Sequence, residues 1–400
     1  MEESKTDQKK RPVAYRRKAR KRILISSFWQ EEEAMRAILA AANELNWELT
    51  DERFVHSQGP KAFTPHGMIC CQWAVPDIMM PLIEARIPVV HTWAMRSTIP
   101  PDERPVVTSD TRLVGAMAAA HFLERGFRQV CYLSVNEYDD ECDPLISTLK
   151  AHLEHGGAHF LGANLVELDG PGWRSAFDRT LDTWLGSMPR PLGVLASGDI
   201  LGGHVVGFCK AFGISVPEEI AVLGIGNKQR WCDMSPCPLS SIDLNPVARA
   251  RQVVALLHRM MGGEAAPAAP VLITPTRVIT RKSTDIMATA DLTVAKAITF
   301  LWEHCGSPIS VDEAAAVAGI SRSSLERRFR KAIGRSVNEE LLRKRLERCR
   351  ELLLSTDLTL VDIAPKVGFL SKTYLHRIFR EHYHCTPKEM RKQSLPCRQT

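Results

Sequence analysis

Ser310-Val311-Asp312-Glu313-Ala314-Ala315-Ala316-Val317-Ala318-Gly319-Ile320 has a counterpart 49 residues later, Thr359-Leu360-Val361-Asp362-Ile363-Ala364-Pro365-Lys366-Val367-Gly368-Phe369. Ser310 with Glu313 has the spacing of a capping box, Thr359 with Asp362 a weaker version of it, and each copy ends at a glycine able to turn the chain through the left-handed region. A second helix follows each turn. Leu325-Glu326-Arg327-Arg328-Phe329-Arg330 recurs as Leu375-His376-Arg377-Ile378-Phe379-Arg380, 50 residues on, so the second turn is one residue longer. Leu and Phe stand four apart on one face, and the arginines at 327 and 330, or 377 and 380, lie off it. One copy alone would also fit a plain helical hairpin. Two matching copies favour a pair of helix-turn-helix units, whose second helices can enter a major groove.

Between the copies, Val337 to Leu354 reads as one helix with Leu341, Leu342, Leu346, Cys349 and Leu353 on its inner stripe. About 18 residues make roughly 27 Å of helix. Two recognition helices held about that far apart can occupy successive major grooves on one face of DNA, where the repeat is about 34 Å.

Upstream, residues 22–281 alternate short apolar runs with helix-length segments of 3.6-residue periodicity. The strand candidates are Ile23–Ser26, Gly67–Cys71, Ile87–His91, Val106–Thr108, Gln129–Ser134, Asn164–Leu168, Leu192–Ala196, Ile220–Ile225 and a last strand Val271–Thr280. The helix candidates are Glu31–Asn46, Ile78–Ala85, Thr111–Arg125, Pro144–Glu154, Trp173–Leu185, Ile200–Phe212 and Pro246–Met261. Such alternation builds a parallel sheet, and its length suits two lobes. The division expected is a basic, disordered tail over 1–22, an α/β two-lobed ligand-sensing domain over 23–282, a polar linker over 283–291, and an all-α domain with two helix-turn-helix units over 292–395.

Composition narrows the function. The 400 residues are 44% hydrophobic and 24% charged, an ordinary globular balance for two or three domains. Residues 1–22 hold ten Lys/Arg against three Asp/Glu and residues 285–400 twenty against fourteen, while the middle holds 22 against 29. Basic ends attract phosphate backbones and an acidic middle is repelled by them. The eleven cysteines include no CxxC pair and no Cys/His metal spacing, so they read as reduced thiols of a cytoplasmic protein without a metal site. The most apolar run, Met68 to Ile83, is broken by Pro76, Asp77 and Pro81, and the basic N-terminus has no apolar region behind it, so neither a membrane span nor a signal peptide is expected. Gly224-Ile225-Gly226 is an incomplete dinucleotide fingerprint, and neither a phosphate loop nor a GxSxG elbow occurs. An enzyme is therefore not expected, nor a cofactor.

Gly319-Ile320-Ser321, Leu325, Phe329, Gly334, Arg345-Leu346, Leu352-Leu353, Ile363-Ala364, Val367-Gly368-Phe369, Leu375, Phe379 and Thr386-Pro387 resemble the signature of the AraC/XylS family of bacterial regulators, over about residues 292–392. Carried over position by position, the resemblance implies DNA contacts from Arg322, Ser323, Glu326 and Arg327 in the first unit and from Lys372, Thr373, His376 and Arg377 in the second. Each contact is open to base readout or to phosphate binding. Two departures stand out. Pro365 lies inside a helix, where proline removes a donor at a cost of roughly 3 kcal/mol, and Tyr383-His384-Cys385 leads into Thr386-Pro387 without the family's glycine.

The α/β region resembles the LacI and periplasmic-binding-protein effector fold in Val216-Pro217-Glu218-Glu219-Ile220-Ala221-Val222-Leu223-Gly224-Ile225 and His121-Phe122-Leu123-Glu124-Arg125-Gly126. Its union with an AraC-type C-terminus is similar to regulators of the xylose-operon type. The resemblance implies a double-stranded DNA operator, a small-molecule effector that is a sugar, a homodimer, and RNA polymerase as partner of an activator; a non-sugar effector or a vestigial sensor is the alternative. A sugar pocket wants acceptors at strand ends and aromatic faces against the ring. Asp110 and Asp199 match family ligand positions, and Asn227, Trp29 and Trp73 follow strands; the aspartates could equally cap helices and the tryptophans fill a core. Gly226 stands where the family carries aspartate, and Asp139-Asp140-Glu141-Cys142 lacks an expected arginine. A plain xylose pocket is therefore not expected: Gly226 should weaken xylose and leave room for a larger sugar.

Overall fold

The computed structural model describes residues 20–26, 32–52, 64–71, 82–93, 105–134, 143–165, 173–289 and 291–394. Most of the expected N-terminal tail and half of the helix expected over Ile78–Ala85 lie outside them. The chain divides into two units, Met1–Thr111 with Leu244–Pro275, and Arg112–Asp243 with Thr276–Thr400.

The first unit is a parallel sheet of β1 (Lys21–Ile25), β2 (Trp47–Asp51), β3 (Gly67–Cys71), β4 (Val89–Trp93), β5 (Val106–Ser109) and β11 (Val271–Ile273), in the order β11-β5-β4-β3-β1-β2. Helices α1 (Glu32–Glu44) and α7 (Pro246–Met260) pack Ile38, Val253 and Leu257 onto Ile23, Ile69 and Val90. Inner parallel strands are covered on both faces and read as unbroken apolar runs. The edge strand β2, Trp47-Glu48-Leu49-Thr50-Asp51, lacks that signal and was not expected.

The sheet of the second unit has β6 (Gln129–Ser134), β7 (His159–Leu165), β8 (Leu192–Ala196), β9 (Ile220–Ile225), β10 (Ser240–Asp243) and β12 (Arg277–Ile279), in the order β12-β10-β9-β8-β6-β7. Only β12 runs antiparallel to its neighbour. Around it lie α2 (Thr111–Glu124), α3 (Pro144–His155), α4 (Trp173–Gly186), α5 (Asp199–Ala211) and α6 (Gln229–Met234). The single strand expected over Val271–Thr280 is two, one in each sheet, divided at Thr274-Pro275-Thr276, where proline has no N–H for a ladder. Strand β10 escaped the sequence reading because Ser240 and Ser241 are polar; both are buried and hydrogen-bonded.

The polar stretch expected to be a linker is packed instead. Ser283 and Thr284 sit in a buried 3-10 turn (Lys282–Thr284), with Ser283 Oγ donating to Val222 O at 2.6 Å. Met287 enters the first core of the helical domain. Hydrogen bonding to a sheet, not to water, explains the polarity.

The helical domain comprises α8 (Leu292–Glu303), α9 (Val311–Val317), α10 (Arg322–Ile333), α11 (Val337–Ser355), α12 (Leu360–Lys366), α13 (Lys372–Tyr383) and α14 (Pro387–Ser394). It has two cores. Val337 and Leu341 of α11 lie in the first with Leu325 and Phe329; Leu346, Cys349 and Leu353 lie in the second with Leu375 and Phe379. One helix of 19 residues, about 28 Å long, therefore anchors both units.

Candidate functional site

The two helix-turn-helix units are built alike. Ser310 Oγ accepts from Glu313 N at 3.2 Å while Glu313 accepts from Ser310 N at 2.8 Å; Thr359 and Asp362 repeat the exchange at 3.4 and 3.1 Å. Gly319 and Gly368 turn the chain with φ of +70° and +78°. At Gly368 a Cβ would stand 2.5 Å from Cys305 O, so the close approach also requires glycine. Ser321 and Ser371 then cap α10 and α13. The helix α12 runs on through Pro365, which is exposed, as is Val361, four residues back, whose carbonyl the proline cannot serve as donor.

Leu325 and Phe329, like Leu375 and Phe379, are fully buried, so the remaining face of each recognition helix points outward. Arg322, Ser323, Glu326 and Arg327 are exposed on α10, and Lys372, Thr373, His376 and Arg377 on α13. Arg322 is held by Asp312 at 3.0 Å and Glu326 at 3.2 Å, so Glu326 is engaged by its neighbour. Arg377 pairs with Glu381 at 2.9 Å and lies 5.3 Å from the ring of Tyr374. Asp312, Tyr374 and Glu381 were missed from sequence, although the i,i+4 spacing of each Arg–Glu pair was visible. Leu370, the extra residue of the second turn, is fully exposed.

The sensing residues divide between the units. Asp110 follows β5 in the first, half-buried, with its N–H on Ile273 O at 2.9 Å. Trp29 and Trp73 lie outside the described residues. In the second unit Asp199 and Asn227 meet through Ser241. Ser241 Oγ donates to Asp199 Oδ1 at 2.5 Å and accepts the Asn227 N–H at 2.9 Å, while Lys228 N donates to Asp199 Oδ2 at 2.6 Å. Asp199 is the first residue of α5 and not its cap, which is Gly198. Burial pushes its carboxyl up to about 6, against the opposing hydrogen bonds from Ser241 and Lys228. Asn227, with φ of +51°, accepts from Arg281 Nη2 at 2.9 Å. The vacancy expected at Gly226 is filled by the chain: a Cβ there would lie 3.2 Å from Asp199 Oδ2 and within 4 Å of the Lys228 side chain. Room for a larger sugar at that corner does not follow.

Among the described residues, no group of three or more His, Cys, Asp or Glu is placed to hold a metal, and no helix is long and apolar enough to cross a membrane.

Two family profiles match the chain, a periplasmic binding protein-like domain over residues 119–284 and a helix-turn-helix domain over residues 314–393. The xylose operon regulatory protein of Escherichia coli strain K12 is 29% identical over 323 residues, covering 80% of each chain. The regulator GbdR of Pseudomonas aeruginosa is 34% identical over 84 residues, 21% of this chain and 23% of its own. Among solved structures, the xylose-binding transcription activator xylR aligns with a TM-score of 0.57 at 24% identity, covering 95% of this chain and 100% of that one. The regulator CelR in complex with cellobiose aligns with a TM-score of 0.52 at 17% identity, covering 66% and 84%. These structures share the fold.

Proposed function

We infer that this chain, a fusion of a periplasmic-binding-protein-like sensor and an AraC-type DNA-binding domain in the manner of the xylose-operon regulators, is a sequence-specific transcription regulator that responds to a sugar and controls carbohydrate-catabolism genes. The observation that carries the DNA-binding half is the duplicated recognition helix: the same apolar positions are buried in α10 and α13, the same positions face outward, and α11 runs through both cores. A spacer of about 28 Å suits successive major grooves.

We assign DNA contacts to Arg322, Ser323, Glu326 and Arg327 and to Lys372, Thr373, His376 and Arg377. Arg327, exposed on α10, carries a guanidinium of the kind that pairs bidentately with guanine, and Arg377, over the ring of Tyr374, enters the groove pre-oriented. On the sensing side, Asp110 and Asn227 are assigned as polar contacts for sugar hydroxyls, each in its own lobe. Asp199 acts as a positioning residue, because both its oxygens already hold the Asn227–Lys228 turn and Ser241. The regulator acts as a homodimer, and as an activator it meets RNA polymerase.

The sugar reading rests on the relatives, whose names specify xylose and whose likeness runs through the sensor as well as the helical domain. A thermal-shift screen of pentoses, hexoses and polyols tests it: at least one raises the melting temperature if the sensor is functional. If none does while the protein binds selected DNA, the effector is not a sugar or the sensor is vestigial.

A further inference from the structure

Helix α11 has a second face, and it is polar. Its apolar stripe lies in two cores made wholly of residues from Met287 onward. Toward the sensing lobe it presents Lys344 and Glu347, with Arg343 beside them paired to Glu347 at 3.4 Å. The fully buried Arg125, just past α2, donates through Nη2 to Glu347 Oε1 at 2.8 Å and to Thr280 Oγ1 at 3.1 Å, and through Nε to Thr284 O at 3.0 Å. Lys344 pairs with Asp285. Arg335 donates to Glu124 O at 3.2 Å. Burial would push the Glu347 carboxyl up, but Arg125, Lys344 and Arg343 outweigh it and hold it well below the usual carboxylate range.

This seam continues into the sensing cluster. Thr284 Oγ1 donates to Ser240 Oγ at 2.7 Å and, its one proton so used, accepts from His121 Nε2 at 2.8 Å. Ser240 Oγ in turn donates to Arg281 O at 2.9 Å and accepts from Arg281 N at 2.8 Å. The Arg281 guanidinium ends on Asn227 Oδ1. Hydrogen bonds thus run without a gap from Asn227 to Glu347.

We propose that the Arg125–Glu347 pair is a releasable latch that docks α11 on the sensing lobe, with Arg281 linking it to the Asn227 turn, so that the state of the sensor sets how α10 and α13 are presented to DNA. The proposal rests on the reading of those two helices as the DNA-reading elements. The division of forces on α11 supports it. An apolar interface opens only by exposing a core, whereas a seam of charges can be wetted with little net change, because desolvation offsets most of a buried pair's attraction. The helical domain keeps its two cores when the seam opens, so α11 has two available arrangements, the bistable element that coupling requires.

The test uses the full chain with spin labels at His155 on α3 and Lys388 on α14, both exposed, attached through an introduced ketone amino acid so that native cysteines stay unlabelled. The docked protein gives one narrow distance distribution. Glu347→Gln, which keeps the size and removes the charge, is expected to add a second, longer-distance population, and Asn227→Ala to add the same population in smaller amount. Thr280→Val provides a second disruption from the lobe side and replaces Glu347→Gln if that variant does not fold. Binding to a random-sequence 30-base-pair duplex is measured in parallel and is expected to be the same for Glu347→Gln and the parent. A single parent-like distribution in folded Glu347→Gln and Thr280→Val overturns the latch, and an open Glu347→Gln with an unchanged Asn227→Ala overturns the link through Arg281. Loss of duplex binding in the parent itself overturns the DNA-reading role while leaving the distances to judge the docking.

Discussion

Gly226 and Asp199 share one corner of the second lobe, where a Cβ on the glycine would stand 3.2 Å from Asp199 Oδ2. The glycine also holds φ of +120°, a region that side chains disfavour. Gly226→Ala should therefore destabilise the protein by roughly 1 to 3 kcal/mol. Gly226→Asp should lose more, since it sets a second carboxylate against the first. Denaturant unfolding checks this, and a Gly226→Asp protein as stable as the parent would show that the corner is open after all.

Asp199 makes stability depend on pH in a definite direction. Its folded pKa of about 6 lies above the ordinary 3.8, so the folded state favours the protonated form. The associated stability is complete below about pH 4 and is lost as pH rises through about 6, amounting to roughly 2 to 3 kcal/mol. In Asp199→Asn that part of the pH dependence should vanish. Unfolding midpoints between pH 4 and pH 7 that fall equally in both proteins would contradict it.

His384 takes the place that Gly334 takes in the first repeat. Their φ angles are 55° and 81°, and each N–H meets the carbonyl four residues back, Arg380 or Arg330, at 2.9 Å. A non-glycine residue in the left-handed region is strained by about 1 kcal/mol. His384→Gly should recover most of that as a higher unfolding midpoint, with DNA affinity unchanged; a lower midpoint would mean that the imidazole stabilises the turn by other means.

Arg327→Ala and Arg377→Ala should each weaken binding to a selected operator by about 1 to 3 kcal/mol and relax preference at separate positions about one DNA turn apart. Footprinting and binding to base-substituted operators read this directly. If both variants lose affinity equally on every sequence, the two arginines grip phosphates and the bases are read elsewhere.

These residues also show how far the sequence was legible. The duplicated helix-turn-helix could be read because its signals are local: a cap, a glycine and a Leu–Phe pair within about twenty residues of one another. The same holds for inner parallel strands such as β8 and β9. What escaped was non-local or disguised by polarity. Ser240, Ser241, Ser283 and Thr284 look like loop residues until a sheet supplies their partners. Arg125 lies in a motif that helped identify the sensor fold, but its partner Glu347 is 222 residues away, and no periodicity connects them. Asp199 was found, yet its engagement by Ser241 and Lys228 depends on a register between β8, β9 and β10 that the sequence does not reveal.

The measurement that bears most directly on the account is operator affinity with and without sugar. DNA selected from a random pool by the full-length protein is titrated at fixed salt, first alone and then with each sugar that shifts the melting temperature. Coupling between effector and DNA sites is typically 1 to 3 kcal/mol, so at least one sugar should change the operator affinity by about 5- to 150-fold. An operator bound tightly and specifically, whose affinity no sugar alters, would contradict the reading of this chain as a sugar-responsive regulator.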